Sequence, residues 1–138
     1  MRASILLDTC ATLWIMANEQ MRPAAVEAID IAFDRGEKVR VSPIAGWEIG
    51  LLASSGKFKS SHTPERWLGS LLDRPEIMLA EMSPEVLLAS SFLPGKPPKD
   101  PADRIIAATA RQYGLTVMTR DRALLSYSDE GYLSTIEC

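Results

Sequence analysis

The sequence contains few of the residues from which many enzyme sites are built. It has one histidine, His62, and two cysteines, Cys10 and Cys138, among 138 residues. A metal site made of several histidines is therefore excluded, and the two cysteines have no zinc-ligand spacing. A catalytic triad would have to use His62, and nothing near it in the sequence suggests a partner. Cys10 is either a nucleophile or, more commonly for a free cysteine, a buried thiol.

Long apolar runs are also missing. No stretch is long enough to span a bilayer, and the first residues do not form a secretory leader. We therefore expect a cytoplasmic protein without a membrane partner. The composition, 46% hydrophobic and 24% charged, indicates a globular chain, and the length suits one domain over residues 1–138. The net charge of -3 does not suggest nucleic-acid binding as such, but a local basic patch would suffice for it.

Short apolar stretches alternate with helical patterns along the chain. The strand candidates are residues 5–7, 39–41, 77–80, 115–119 and 132–136. Helix starts are marked by a capping residue and a proline at 42–43, 63–64, 83–84 and 100–101. Residues 121–125 predict only a short helix or turn. This order predicts an α/β domain with a central, mainly parallel sheet of four to five short strands flanked by helices.

Carboxylates follow three of these strands. Asp8 comes directly after the first strand, Glu48 lies one or two helical turns after the second, and Asp121 follows residues 115–119. In a parallel sheet these strand ends lie at one edge, where α/β proteins bind their ligands. Asp100 and Asp103 open the helix before the 115–119 strand. A right-handed crossover would start that helix at the same edge, so the sequence predicts a gathering of acids there.

Each acid also has a purely structural interpretation. Asp8, Asp100 and Asp121 are favourable helix caps, Asp103 suits the positive end of a helix dipole, and Glu48 suits a solvated helix face. Several acids without matching bases would repel one another and raise some of their pKa values. Divalent cations relieve that repulsion, and oxygen ligands suit Mg²⁺ or Mn²⁺. Two such ions can activate water at phosphorus, so phosphodiester hydrolysis is the expected chemistry.

The chain resembles PIN-domain proteins, most closely the VapC-type toxins of bacterial toxin–antitoxin pairs. The resemblance is carried by Leu6-Leu7-Asp8-Thr9, Trp47-Glu48-Ile49, Asp100-Pro101-Ala102-Asp103-Arg104 with the helix that follows, and Thr119-Arg120-Asp121. Their order and spacing fit that family over nearly the whole chain. The resemblance implies a PIN-like sandwich and a metal-dependent endoribonuclease that hydrolyses RNA with an acidic Mg²⁺ or Mn²⁺ site.

The resemblance also assigns roles to single residues. Asp8, Glu48, Asp103 and Asp121 match the catalytic acids of the family. Of these, Asp8, Asp103 and Asp121 would hold the metal, and Glu48 would be a further ligand or help to deprotonate water. Asp100 matches an extra acid that is either a ligand or only a helix cap.

Three further positions match supporting residues of the family. Thr9 and Thr119 match hydroxyl residues near the metal. Thr119 would orient water or Asp121, or is an ordinary strand residue. Arg104 would hold a phosphate or pair with a neighbouring aspartate.

The resemblance implies an RNA substrate, a cognate antitoxin protein and a homodimer. Six bases either line an RNA path or only solubilise the protein: Lys57, Lys59, Lys96, Lys99, Arg120 and Arg122. Six large apolar residues are expected mostly in the core: Trp14, Trp47, Leu51, Leu52, Trp67 and Leu71. Any of these that are exposed would be candidates to receive an amphipathic antitoxin segment.

Two other functions compete with this interpretation. A phosphatase with an aspartyl nucleophile at Asp8 is disfavoured, because Cys10 stands where that class has a second aspartate. A PIN-like module that binds RNA or protein without cutting remains the alternative. The retained acids argue against it, since a pure RNA binder gains nothing from repelling phosphate.

Overall fold

The computed structural model describes residues 4–138 and builds them around one parallel sheet. Its strands are β1 (Ile5–Leu7), β2 (Val39–Val41), β3 (Ile77–Leu79), β4 (Thr116–Thr119) and β5 (Ser134–Glu137). They lie in the order β3-β2-β1-β4-β5, and each neighbouring pair is parallel. The predicted α/β sandwich is confirmed, and the last strand forms an edge of the sheet.

Seven helices of the described chain join and flank the strands. They are α1 (Thr9–Met16), α2 (Pro23–Asp34), α3 (Ile44–Ser54), α4 (Pro64–Leu72), α5 (Pro84–Ala89), α6 (Pro101–Tyr113) and α7 (Arg122–Asp129). Proline occupies the first position of α2, α4, α5 and α6, where its missing N–H costs nothing. None of the helices within residues 4–138 has the length and apolarity needed to cross a membrane.

The boundaries of α3 and α7 are among those that differ from the predicted ones. Helix α3 begins at Ile44 and leaves Pro43 just outside, although the Ser42 hydroxyl still accepts a hydrogen bond from the Ile44 N–H at 3.2 Å. Helix α7 continues to Asp129 instead of ending near residue 125. Its second turn persists because Tyr127, like Leu124 one turn earlier, is fully buried against the sheet, which outweighs the weak helix propensity of the serines there.

The sheet separates two hydrophobic cores, because successive side chains of a strand point to opposite faces. Leu7 packs with residues of α1, α2, α3 and α4 on one face. Leu6 packs with residues of α6 and α7 on the other face. Both leucines are at most 1% exposed, so β1 is anchored from both sides. The residue that follows it, Asp8, is positioned by both cores.

The expectation that the large apolar residues belong mostly to the core is only partly met. Trp67 and Leu71 are buried, and Trp14 and Leu52 are partly buried. In contrast, Trp47 and Leu51 lie one turn apart on an outward face of α3, each about half exposed (51% and 50%). These two were expected in the core and are instead at the surface.

Candidate active site

Asp8 lies at the carboxyl edge of the sheet, immediately after the middle strand. Its residue is 3% exposed. One carboxylate oxygen, Oδ1, accepts a hydrogen bond from the Ala11 N–H at 2.7 Å and caps α1; the other, Oδ2, accepts one from the Thr119 hydroxyl at 2.5 Å. Burial raises the pKa of Asp8, and these two hydrogen bonds oppose the rise. Asp8 is therefore a helix cap and also a buried carboxylate at the edge where ligands bind.

Thr119 connects two of the predicted site residues. It is the last residue of β4 and is fully buried. Its hydroxyl donates to Asp8 Oδ2 and accepts a hydrogen bond from the Asp121 N–H at 2.9 Å. The Asp121 carboxylate in turn caps α7 by accepting from the Leu124 N–H at 3.0 Å. Since one hydroxyl can donate once and accept twice, Thr119 joins the ends of β1 and β4 through a single atom.

Glu48 faces the other acids from the neighbouring helix. Its side chain, partly buried on α3, accepts a short hydrogen bond from the Thr9 hydroxyl. Burial raises the pKa of Glu48, and the negative charges of Asp100, Asp8 and Asp121 raise it further. The interpretation of Glu48 as a solvated surface residue is therefore disfavoured.

Asp103 is the acid of the site whose pKa reaches neutrality. It lies in the first turn of α6 and is partly buried. Burial, followed by the charges of Asp121, Asp100, Glu48 and Asp8, raises the pKa of Asp103 to about 7. Asp100 is exposed and caps α6, its Oδ2 accepting from the Asp103 N–H at 3.0 Å. The charges of the acids that the sequence places at this edge therefore act on one another.

We refer to Asp8, Glu48, Asp100, Asp103 and Asp121 as the acidic cluster. All of its donors are carboxylate oxygens, the ligands that Mg²⁺ and Mn²⁺ prefer, and a cation would relieve the repulsion that raises the pKa values. In its chemistry the cluster fits a hard divalent ion. As placed within residues 4–138, however, no three His, Cys, Asp or Glu side chains form a group able to hold a metal. A Mg²⁺ ion, which usually keeps several of its waters, would take one or two of these carboxylates directly.

A nucleophilic role for Cys10 is disfavoured. The residue is exposed in the first turn of α1, so the expectation of a buried thiol is wrong. Partial desolvation and the charges of the nearby acids Asp8, Glu48, Asp103 and Asp121 raise the pKa of Cys10 to about 11. A thiol with so high a pKa keeps its proton at neutral pH, and the protonated form is the weaker nucleophile.

Arg104 forms hydrogen bonds to main-chain oxygens instead of to the acids. Its guanidinium donates to the main-chain oxygens of Ser90 at 2.8 Å and Pro98 at 3.1 Å. The expected pairing with Asp100 or Asp103 is not found, because the side chain instead satisfies carbonyl groups of the loop before α6. Arg104 thus fixes that loop to the helix.

Arg120 differs from the other five predicted RNA-path bases in its contacts, which the sequence did not predict. All six of the predicted RNA-path bases are exposed, Arg120 among them. The Cζ atom of Arg120 lies 3.4 Å from the centre of the Trp14 ring. The positive charge of Arg120 opposes the rise in the pKa of Asp8 that burial causes. No local signal could have indicated this, because the arginine and the tryptophan are more than one hundred residues apart.

A family model describes most of the chain. Residues 5–130 match the PIN domain. A relative, Ribonuclease VapC22 of Mycobacterium tuberculosis (strain ATCC 25618 / H37Rv), is 31% identical over 125 residues, which cover 90% of this chain and 92% of that protein.

Two solved structures show the same fold. VapBC2 from Rickettsia felis bound to a DNA fragment from its promoter aligns with a TM-score of 0.65 at 13% identity, covering 96% of this chain and 97% of the other. FitAcB from Neisseria gonorrhoeae aligns with a TM-score of 0.52 at 21% identity, covering 96% of each chain. At such low identities these likenesses concern the fold alone. With the family match and the similarity to VapC22, they lead to one conclusion: the chain belongs to the PIN domain family, as a relative of the VapC proteins.

Proposed function

We propose that this chain is a Mg²⁺- or Mn²⁺-dependent endoribonuclease, the toxin of a toxin–antitoxin pair, which cuts RNA in the cytoplasm. The observation that carries the proposal is electrostatic. Burial and mutual repulsion raise the pKa values of Asp8, Glu48 and Asp103 at one sheet edge. Such an arrangement is unfavourable unless a cation compensates it, and acids with shifted pKa values are common at catalytic sites. The relative VapC22 is named a ribonuclease, which supports the same reaction.

The acidic cluster would divide the work of holding the metal. Asp8, Asp103 and Asp121 would be the ligands, with Glu48 and Asp100 as further oxygen donors. When bound, the divalent ion supplies positive charge that polarises the phosphate and lowers the pKa of water.

The chain's own residues would position the reactants and move the proton. Glu48, whose pKa is raised by burial and by the neighbouring acids, would accept a proton from the attacking water. The Thr9 hydroxyl holds the Glu48 carboxylate, and the Thr119 hydroxyl holds Asp8. Water adds to phosphorus as the bond from phosphorus to the leaving oxygen breaks, and that oxygen takes up a proton from solvent, so no covalent enzyme intermediate is needed.

The test is cleavage of RNA by the purified protein in Mg²⁺ or Mn²⁺. Chelation should abolish cleavage, and Asp8→Asn should reduce it by at least about 100-fold, because an essential carboxylate is lost while the shape is kept. Asp73→Asn, which removes the same charge from an exposed position after α4, is the matched control and should cleave normally. Undiminished cleavage by Asp8→Asn would overturn the site. RNA binding without any cleavage would favour the non-catalytic module instead.

We further propose a groove between α1, α3 and α4 as the docking site of the antitoxin. The groove has a volume of about 630 Å³, and its lining includes Trp14, Phe58 and Trp67, with Lys57 and Lys59 also lining it. An amphipathic segment with acidic residues on its polar face complements that combination. The solved structures of VapBC2 and FitAcB, which share this fold, support a partner protein. Phe58→Asp should weaken antitoxin binding at least tenfold, whereas Phe33→Asp, on exposed α2 surface, should not.

We also propose that two copies of the chain associate through the surface of α5. Leu87 and Leu88 lie on α5 and Phe92 follows its end; the three are 42%, 67% and 81% exposed. Large apolar side chains exposed so close together in the sequence are candidates for an interface. Sedimentation should show a dimer that Phe92→Glu converts to a monomer, whereas Val26→Glu on α2 leaves it intact. A wild-type monomer at all concentrations would contradict the dimer.

A further inference from the structure

Arg120 is held in one orientation at the rim of the acidic cluster. It lies between Thr119 and Asp121, directly after β4. One face of its guanidinium covers the Trp14 ring, with Cζ 3.4 Å from the ring centre, and one N–H group donates to the main-chain oxygen of Cys138 at 3.2 Å. Trp14 is itself packed against the core of α1 and its neighbours. The Arg120 side chain is therefore held on one face by the Trp14 ring and at one edge by the main-chain oxygen of Cys138.

Most of the hydrogen-bonding capacity of this arginine is unused. A guanidinium carries five N–H donors, and the contact with Cys138 uses one of them. The residue is exposed, and no Asp or Glu side chain of the described chain forms an ion pair with it; the ion pair found on this side of the molecule joins Arg22 and Glu137 at 2.8 Å. Arg120 thus presents an oriented guanidinium with several unused N–H donors at the surface.

Arg120 is also close to the acidic cluster. Its backbone lies between Thr119, whose hydroxyl donates to the Asp8 carboxylate, and Asp121, so the residue stands at the edge of the cluster. A polyanion that approaches five acids is repelled by them, and a cation fixed at their rim offsets the repulsion. A planar guanidinium pairs with phosphate through two parallel hydrogen bonds, and a guanidinium that is already oriented loses little entropy in doing so.

We propose that Arg120, supported by Trp14, binds a phosphate of the RNA strand adjacent to the phosphodiester that is cut. The inference rests on the proposed ribonuclease function and adds a substrate-binding residue to it. The contact fixes the strand against the acidic cluster and carries no base specificity, as is general for phosphate contacts. A carboxylate of a partner protein would satisfy the same guanidinium donors, and the experiment separates the two.

The test measures RNA binding apart from cleavage. In an Asp103→Asn background, which is expected not to cut, the dissociation constant for a single-stranded RNA is measured by fluorescence anisotropy over a range of salt concentrations. Arg120→Gln should weaken binding about tenfold and lower the slope of log K against log salt by about 0.7, the value for one phosphate contact on a single strand. Arg120→Lys should keep the slope and lose part of the affinity. Trp14→Leu should keep the slope and weaken binding, because the charge remains but its support is lost.

Arg35→Gln is the matched control. It removes the same charge from an exposed arginine at the end of α2, before β2 begins and so at the edge of the sheet opposite the acidic cluster. Binding and salt slope should therefore stay unchanged. In the cleaving protein, Arg120→Gln should raise KM with kcat kept within about twofold, as expected for a contact made equally in ground and transition states.

Three results would overturn the proposal. The first is an unchanged dissociation constant and salt slope in Arg120→Gln, or no RNA binding by the parent protein. The second is loss of antitoxin binding with RNA binding intact, which would assign Arg120 to the partner surface. The third is a lower free energy of unfolding with unchanged RNA binding, which would make the arginine a structural link. A failure of the ribonuclease proposal itself is recognised separately, because it removes cleavage from the wild-type protein.

Discussion

Asp103 shows how a single residue acquires its chemistry from its surroundings. Its sequence context, the third residue of a helix after a capping aspartate, is unremarkable and favourable to the helix dipole. Burial and the four other acids of the cluster nevertheless raise the pKa of Asp103 from 3.8 to about 7. The native carboxyl therefore keeps its proton up to about neutral pH, whereas the unfolded chain loses it near pH 4. Between these two pH values the native state holds a proton on Asp103 that the unfolded chain has lost. The contribution of Asp103 to the free energy of unfolding therefore decreases as the pH rises.

We predict that Asp103→Asn flattens the pH dependence of stability. The wild-type free energy of unfolding should decrease between about pH 4 and pH 7 in the absence of divalent ions, and the decrease should be smaller in Asp103→Asn because that proton is no longer exchanged. Urea titrations at pH 4.5, 6 and 7.5 measure the effect. Asp8 and Glu48, whose pKa values are also raised, leave the variant with part of the decrease.

Asp73→Asn serves as the control for this prediction, since it removes an exposed acid and should reproduce the wild-type curve. Adding Mn²⁺ at pH 7.5 should stabilise the wild-type protein more than Asp103→Asn, because binding to the native state adds to stability. Parallel pH curves for the wild type and Asp103→Asn would contradict the raised pKa.

At the scale of elements, the cluster depends on how the helices begin. Asp8, Asp100 and Asp121 each accept a hydrogen bond from an N–H in the first turn of the helix they precede. The same capping that starts α1, α6 and α7 therefore fixes where these carboxylates stand. Since parallel strands end at one sheet edge, starting the helices there concentrates the acids without a dedicated loop.

We predict that Asp100 stabilises α6 through its capping hydrogen bond and not through its charge, and that substitution separates the two effects. Asp100→Asn keeps a capping oxygen and should leave the free energy of unfolding within about 0.5 kcal/mol of wild type, whereas Asp100→Ala should cost about 1 kcal/mol. Ser83→Ala, which removes the cap of α5, is the control for loss of a cap away from the acidic cluster and should also cost about 1 kcal/mol. Urea unfolding measures all three variants. An equal loss in Asp100→Asn and Asp100→Ala would show that charge, and not capping, stabilises α6.

At the scale of the whole molecule, β1 links the two cores to the site. Leu6 and Leu7 are almost completely buried on opposite faces of the sheet, and Asp8 follows them directly. A three-residue strand has little stability of its own, so its position depends on packing from both sides. Packing on both faces of β1 therefore also fixes the position of the Asp8 carboxylate.

We predict that both cores are equally necessary for one cooperative fold. Leu6→Ala and Leu7→Ala should each lower the free energy of unfolding by about 2–5 kcal/mol, because each leaves a cavity in a close-packed core. Leu79→Ala, at a site 46% exposed on the edge strand β3, should change it by less than about 1 kcal/mol. Thermal unfolding followed by calorimetry should remain a single transition in all three variants. Two separate transitions would show that the cores unfold independently.

Local chemistry made much of this protein predictable before folding is considered. Apolar runs of strand length, helix caps followed by proline, and the order of strands and helices lead to the α/β architecture, because each signal acts over a few residues. The same locality placed Asp8, Asp103 and Asp121 at element boundaries. The resemblance to the PIN family connected them to one chemistry.

Only the tertiary structure decided what those residues contact. The Thr119 hydroxyl meets an aspartate 111 residues away, Arg120 meets Trp14, and Arg104 turns to loop carbonyls instead of the acids. Trp47 is half exposed, although a large apolar side chain was expected to lie in the core. Contacts, burial and the resulting pKa values depend on which distant groups share a surface, and that depends on packing of the complete chain.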